Sequence, residues 1–197
     1  MNQSISVAIA EDEPLMQSYL QETLKLLGHR VQCIVSTGRE LVERCKAEKP
    51  ELVITDIRLP DMDGLTSAAE IYASEAVPII VISAFHDAEL IERAEKNHVL
   101  AYLVKPIKQQ DLEPAIAIAM RRFQEFREMR KEADNLRQAL EDRKPIERAK
   151  GLLMKRAGLD EPEAFRRLQK LARDKNQKLI QIAQVIVTAE EAFQKSM

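Results

Sequence analysis

Tryptophan is absent, and only two cysteines occur among 197 residues, Cys33 and Cys45. Two cysteines give no disulfide framework, and their strand-like and helix-like surroundings predict buried thiols in a reducing cytoplasm. Glycine is scarce as well, at five residues. Neither G-x-G-x-x-G nor G-x-x-x-x-G-K-[ST] is present, which argues against a nucleotide-binding sheet. No apolar run approaches the roughly 18 residues that span a bilayer. The segment Met1–Pro14 has no basic residue and runs into Glu11-Asp12-Glu13, so no signal peptide is expected and a cytoplasmic location is.

The net charge of −2 hides an asymmetry. Residues 1–120 hold 11 Lys/Arg against 19 Asp/Glu, and residues 121–197 hold 19 against 13. An acidic part and a basic part suggest two tasks, with a polyanion as the natural partner of the second.

Up to about residue 120, short Val/Ile/Leu-rich runs (5–10, 31–35, 51–56, 78–83, 100–106) alternate with amphipathic stretches. This pattern predicts an α/β fold, a doubly wound five-stranded parallel sheet with helices on both faces. Glu11 and Asp12 follow the first strand, Asp56 ends the third, Ser83 ends the fourth and Lys105 ends the fifth. Ligands bind at the carboxyl ends of such strands. Crowded carboxylates repel unless a cation is present, and hard oxygen donors suit Mg²⁺. A lysine opposite them adds positive charge for phosphoryl oxygens. The chemistry this set supports is phosphoryl transfer to a carboxylate.

Glu11-Asp12-Glu13-Pro14, Asp56 with Leu59-Pro60-Asp61-Met62-Asp63-Gly64, Ser83-Ala84, and Tyr102 through Lys105-Pro106 resemble the receiver domains of two-component response regulators, which share a flavodoxin-like fold. The resemblance implies that Asp56 is the phosphoacceptor, modified by a sensor histidine kinase. It implies Mg²⁺ held by Glu11, Asp12, Asp56 and the Arg58 carbonyl. Lys105, with a cis bond to Pro106, would pair with the phosphoryl group, and Ser83 would donate a hydrogen bond to it. Ser83 and Tyr102 would rearrange together as the switch, and Gly64 would serve a backbone turn.

From residue 107 to Arg143, apolar residues recur at Leu112, Ile116, Ala119, Phe123, Phe126, Met129, Ala133, Leu136 and Leu140. This heptad-like spacing predicts one long helix whose later part (121–143) pairs as a coiled-coil homodimer, the first domain being residues 1–120. Pro145 is expected to open a new helix that Gly158 ends, and Asp160-Glu161-Pro162-Glu163 to cap a second. A third helix is expected after Asp174–Asn176, so that residues 144–197 form a small all-α three-helix bundle. Its expected apolar stripes are Ala164, Phe165, Leu168, Leu171-Ala172, and Leu179, Ile182-Ala183, Val185-Ile186, Ala189.

Between Arg143 and Lys178 there are 12 Lys/Arg and 5 Asp/Glu. His29, His86 and His98 all lie elsewhere, so no metal-ligand cluster and no catalytic constellation is expected, and no enzymatic output. The aromatics, Phe165 and Phe193, fit apolar stripes, which leaves no platform for base stacking. Leu136-x-x-Ala139-Leu140-x-x-Arg143, Ile146-Glu147-x-Ala149-Lys150-Gly151-Leu152-Leu153-Met154 and Glu163-Ala164-Phe165, followed by Leu168, Leu171-Ala172 and Lys178-Leu179, resemble an ANTAR domain. ANTAR domains are the RNA-binding outputs of antiterminating response regulators. That implies binding to paired hairpins in nascent mRNA leaders through Arg143, Arg148, Lys150, Gly151, Lys155, Arg156, Arg166, Arg167, Lys170, Arg173, Lys175 and Lys178. Gly151, mid-helix, is expected at a close approach, and Glu147 and Asp174 in local ion pairs. The alternatives are a DNA-binding response regulator and an output that grips an acidic protein.

Overall fold

Branched aliphatic runs become strands here because alternate side chains point to opposite faces of a sheet, and both faces are covered. The computed structural model describes residues 4–84 and 88–194, without the side chains of residues 88, 89, 91, 95, 193 and 194. His86 and the side chain of Phe193 lie outside the described residues. The chain divides into two compact units, Met1–Arg127 and Glu128–Met197.

The first unit runs β1 (Ser6–Ala10), α1 (Pro14–Leu26), β2 (Arg30–Val35), α2 (Gly38–Glu48), β3 (Leu52–Asp56), α3 (Gly64–Ser74), β4 (Ile79–Ser83), α4 (Ala88–Lys96), β5 (Ala101–Val104) and the start of α5 (Gln109–Ala157). The strands are all parallel in the order β2-β1-β3-β4-β5, the expected doubly wound sheet. On one face Ala8, Val53, Ile79 and Val81 pack with Leu41 and Val42 of α2 and Leu65, Ala68 and Ile71 of α3. On the other, Val7, Ile9, Leu52, Ile54, Ile80 and Ile82 pack with Leu20 and Leu24 of α1 and Leu112, Ile116 and Ala119 of α5. Each fully buried aliphatic side chain contributes about 1.5–3 kcal/mol. Cys33 and Cys45 are buried in the first cluster, and burial pushes the Cys45 thiol up to about 12.

Helix starts follow local chemistry. Pro14 sits in the first turn of α1, where its missing N–H has no cost, and Gly28 (φ 84) turns the chain after it. Thr37 caps α2 by accepting from the Glu40 amide (3.2 Å), and Asp63 caps α3 by accepting from the Thr66 amide (2.8 Å).

The second unit holds the rest of α5 with α6 (Glu161–Asp174) and α7 (Leu179–Gln194). The expected break at Pro145 does not occur: α5 runs unbroken through both Pro114 and Pro145. Proline removes one backbone hydrogen bond and crowds the preceding turn. That turn is held by Arg137 to Glu141 (3.2 Å) and Gln138 to Asp142 (2.7 Å), and no glycine is nearby to end the helix. Gly158 (φ 64) supplies the left-handed turn after α5. Asp160 and Glu163 then form the predicted reciprocal capping box. Ala149, Leu168, Ala172, Ile182, Ala183 and Val187 make the bundle core. The α7 stripe differs from the expected one: Val185 is 63% exposed and Ala189 is exposed, because the buried residues Ile182, Ala183 and Val187 and the partly buried Leu179 and Ile186 follow the 3.6-residue turn.

The apolar row along α5 changes character partway. Leu112, Ile116, Ala119 and Phe123 are buried, whereas Phe126, Met129, Leu136 and Leu140 are exposed.

A candidate phosphoacceptor site and a candidate nucleic-acid interface

The order of the sheet reverses between β1 and β3, and a crevice opens at the carboxyl ends of strands flanking such a point. Glu11 and Asp12 leave β1 there, and Asp56 is the last residue of β3. One carboxylate oxygen from each lies within 4.8 Å of the others. Glu11 and Asp56 are buried and Asp12 is exposed. Lys105, just past β5, hydrogen-bonds to the Asp56 carboxylate and lies 2.8 Å from Glu11 Oε2. Three carboxylates and one ammonium leave two negative charges, which a divalent cation balances. The all-oxygen donor set fits Mg²⁺.

The local electrostatics agree with this geometry. Burial raises the Glu11 carboxyl above its usual range, against the Lys105 hydrogen bond; the nearby Asp56 adds to the rise. Burial alone would lower the Lys105 ammonium, but its hydrogen bonds to Asp56 and Glu11 outweigh that and raise it. The Arg58 amide donates to Asp56 Oδ1 (2.9 Å), fixing the carboxylate rotamer. Ser83 is buried at the end of β4, and its carbonyl accepts from the Lys105 amide (2.8 Å). Tyr102 is half-buried against the cluster on the α2–α3 face. The Lys105–Pro106 bond is cis.

Gly64 has a role other than the expected turn. A Cβ there would lie 1.9 Å from the Asp56 carbonyl oxygen and 2.8 Å from Thr55 Oγ1, so glycine lets α3 begin against the end of β3. One contact beside the site was not legible in the sequence: Arg93 of α4 bonds to Asp63 Oδ2 at 2.9 Å. Its partners are 30 residues apart, and no spacing rule joins them. Burial raises the Asp63 carboxyl, but the Thr66 amide and Arg93 together hold it below the usual range.

In the second unit the twelve candidate contact residues separate into two sets. Lys150 is 8% exposed and lies 2.8 Å from Glu147, as expected of Glu147, and 2.7 Å from Glu161. Its ammonium also sits 5.9 Å from the centre of the Phe165 ring. Arg148 pairs with Glu191 (2.7 Å) and Arg156 with Glu190 (2.8 Å), so α7 supplies acids to α5. Arg143, Lys155, Arg166, Arg167, Lys170, Arg173, Lys175 and Lys178 are exposed, with no ion pair among the described residues; Asp174 has none either. Gly151 is exposed, and a Cβ there would meet nothing within 4 Å, so none of the described residues makes the expected close approach.

Residues 7–117 match the family described as the response regulator receiver domain, and residues 134–187 match the ANTAR domain. The chain is 41% identical to the transcriptional regulatory protein PdtaR of Mycobacterium tuberculosis over 181 residues, covering 92% of this chain and 88% of that one. It is 36% identical over 119 residues to the positive alginate biosynthesis regulatory protein of Pseudomonas aeruginosa, covering 59% and 48%. The signal receiver domain of a modulated diguanylate cyclase from Desulfovibrio desulfuricans G20 superposes with a TM-score of 0.58 at 30% identity, over 62% of this chain and 98% of that one. The chain belongs to the two-component response regulators in which a receiver domain is followed by an ANTAR domain.

Proposed function

We propose that phosphorylation of Asp56 by a sensor histidine kinase switches this response regulator to bind paired hairpins in nascent mRNA leaders, preventing transcription termination. The observation that carries the reading is one chain joining an acidic receiver site, with Lys105 on Asp56, to an ANTAR unit with an exposed basic surface. The relative named a transcriptional regulatory protein supports an output at the level of transcription.

Glu11, Asp12, Asp56 and the Arg58 carbonyl would hold Mg²⁺, which when bound supplies positive charge to the oxygens of the transferring group. An Asp56 oxygen attacks phosphorus in line as the bond to the donor breaks. Lys105 then pairs with the new phosphoryl oxygens and Ser83 donates a hydrogen bond to one. Tyr102 follows Ser83 inward, shifting the population toward an associating form. In that form the exposed α5 residues Phe126, Met129, Ala133, Leu136 and Leu140 pair with those of a second copy. Two output units then meet two hairpins, and affinity rises through effective concentration. The protein's catalysis is confined to its own phosphorylation. No described helix is long and apolar enough to cross a membrane, and the partners proposed here are cytoplasmic.

Titration of the full chain into a labelled tandem-hairpin RNA, with and without beryllofluoride and Mg²⁺, tests this against duplex DNA at matched salt. Activation should tighten RNA binding, and Asp56→Ala should abolish the gain. A preference for duplex DNA would leave the receiver intact and overturn the output.

A further inference from the structure

Helix α6 is amphipathic in an unusual way. Ala164, Leu168 and Ala172 face the bundle core. Arg166, Arg167, Lys170 and Arg173 are exposed on the opposite side, at offsets of 3, 4 and 7 residues that stack them along one stripe. From Arg166 to Arg173 the stripe is about 10 Å long at roughly 1.5 Å per residue.

Four exposed helical cations of the chain have an acid one turn away. Arg44 has Glu48, Lys96 has Glu92, Arg121 has Glu125 and Arg137 has Glu141. On α5, Lys150, Arg148 and Arg156 all have carboxylates within 2.8 Å. The four cations of α6 have none among the described residues; Arg166 Nε instead donates to the Pro162 carbonyl (3.3 Å). The acids near the stripe stand at its ends, Glu163 turned to the capping box and Asp174 in the last turn. Like charges at these offsets destabilise a helix. A stripe of four like charges on one exposed face, opposite the bundle core and with no acid in ion-pair range among the described residues, is what a surface for an external polyanion requires.

We propose that the outer face of α6, through Arg166, Arg167, Lys170 and Arg173, is the surface that grips the RNA sugar–phosphate backbone. Lys150, Arg148 and Arg156 hold the bundle together instead. The proposal rests on the RNA-binding reading above and assigns the face that carries it. Phosphate contacts of this kind position the RNA without reading its sequence.

The experiment is the salt dependence of hairpin-RNA binding by the full activated chain. Each contacting cation contributes about 0.7–0.9 to the slope of log K against log salt. Arg166→Gln, Lys170→Gln and Arg173→Gln should each lower that slope by about this much, and the triple variant by about 2–3. Arg148→Gln and Arg156→Gln should leave it unchanged. The α6 variants should melt no lower than the wild type, since they relieve repulsion; this separates lost contact from lost fold. An unchanged slope in the α6 variants, or a lowered one in the α5 variants, overturns the assignment of the face while RNA binding itself stands. No hairpin binding by the activated wild type overturns both readings.

Discussion

The Lys150 ammonium lies 2.7 Å from Glu161 Oε1, joining the last turns of α5 to the first turn of α6 across a reversal of the chain. Glu147 holds the same ammonium from within α5.

Removing Lys150 leaves two carboxylates facing each other. Lys150→Met should therefore lower the melting temperature of the output unit more than Lys150→Arg does, measured by helical circular dichroism. The hydrogen bond and charge of Lys150 hold Glu161 below its ordinary 4.5. The hydrogen bonds of Glu147 and Glu161 hold Lys150 above 10.5. The lowered acid contributes stability that is present above pH 4.5 and fades as pH falls through its folded value. The raised base contributes stability that is present below pH 10.5 and fades as pH rises through its folded value. The contribution of this pair should be flat between these limits, and Glu161→Gln should make the acid limb shallower. An acid limb unchanged in Glu161→Gln would assign it to other groups.

Gly64→Ala places a methyl group 1.9 Å from the Asp56 carbonyl, a backbone atom that cannot swing aside. A cost of about 1–3 kcal/mol is expected from such overpacking. Because the strain falls on Asp56 itself, phosphorylation by a small-molecule phosphodonor should slow as well. Chemical denaturation and intact-mass time courses measure the two effects.

Gly151→Ala should do the opposite for stability. It meets open space, so replacing a mid-helix glycine should stabilise α5 by about 0.5–1 kcal/mol. If an RNA strand approaches that backbone, affinity should drop although the protein is more stable. Equal affinity would remove Gly151 from the interface.

Leu136 and Leu140 are 61% and 67% exposed. Leu136→Glu with Leu140→Glu should leave the fold unchanged and weaken self-association of the activated protein at least tenfold, since each leucine buried between copies contributes about 1.5–3 kcal/mol. Sedimentation equilibrium reads this directly. A dimer that survives both changes would have to form elsewhere.

The receiver was legible because each of its chemical groups sits at the end of an apolar run, and strand ends of a parallel sheet converge whatever the helices do. Asp56, Glu11 and Lys105 were therefore placed together from the chain alone. The output unit resisted the same reading. Spacing reveals Glu147 with Lys150, one turn apart, but not Lys150 with Glu161 or Arg156 with Glu190, 11 and 34 residues apart. Those pairs depend on how Gly158 and the capping box reverse the chain. Pro145 misled because an interior proline weakens a helix without always ending it, and here α5 continues through it.

Both cysteines are sealed within the sheet's packing, and burial holds the Cys45 thiol near 12 and raises that of Cys33. Thiolate is the reactive form, so the native chain should be nearly inert to disulfide reagents and alkylating labels. A single cysteine introduced on the surface would then be the one site a fluorophore or spin label reaches. Pairs of such probes could follow the switching protein with its own cysteines left in place. Rapid thiol titration before any unfolding would show that this advantage does not exist.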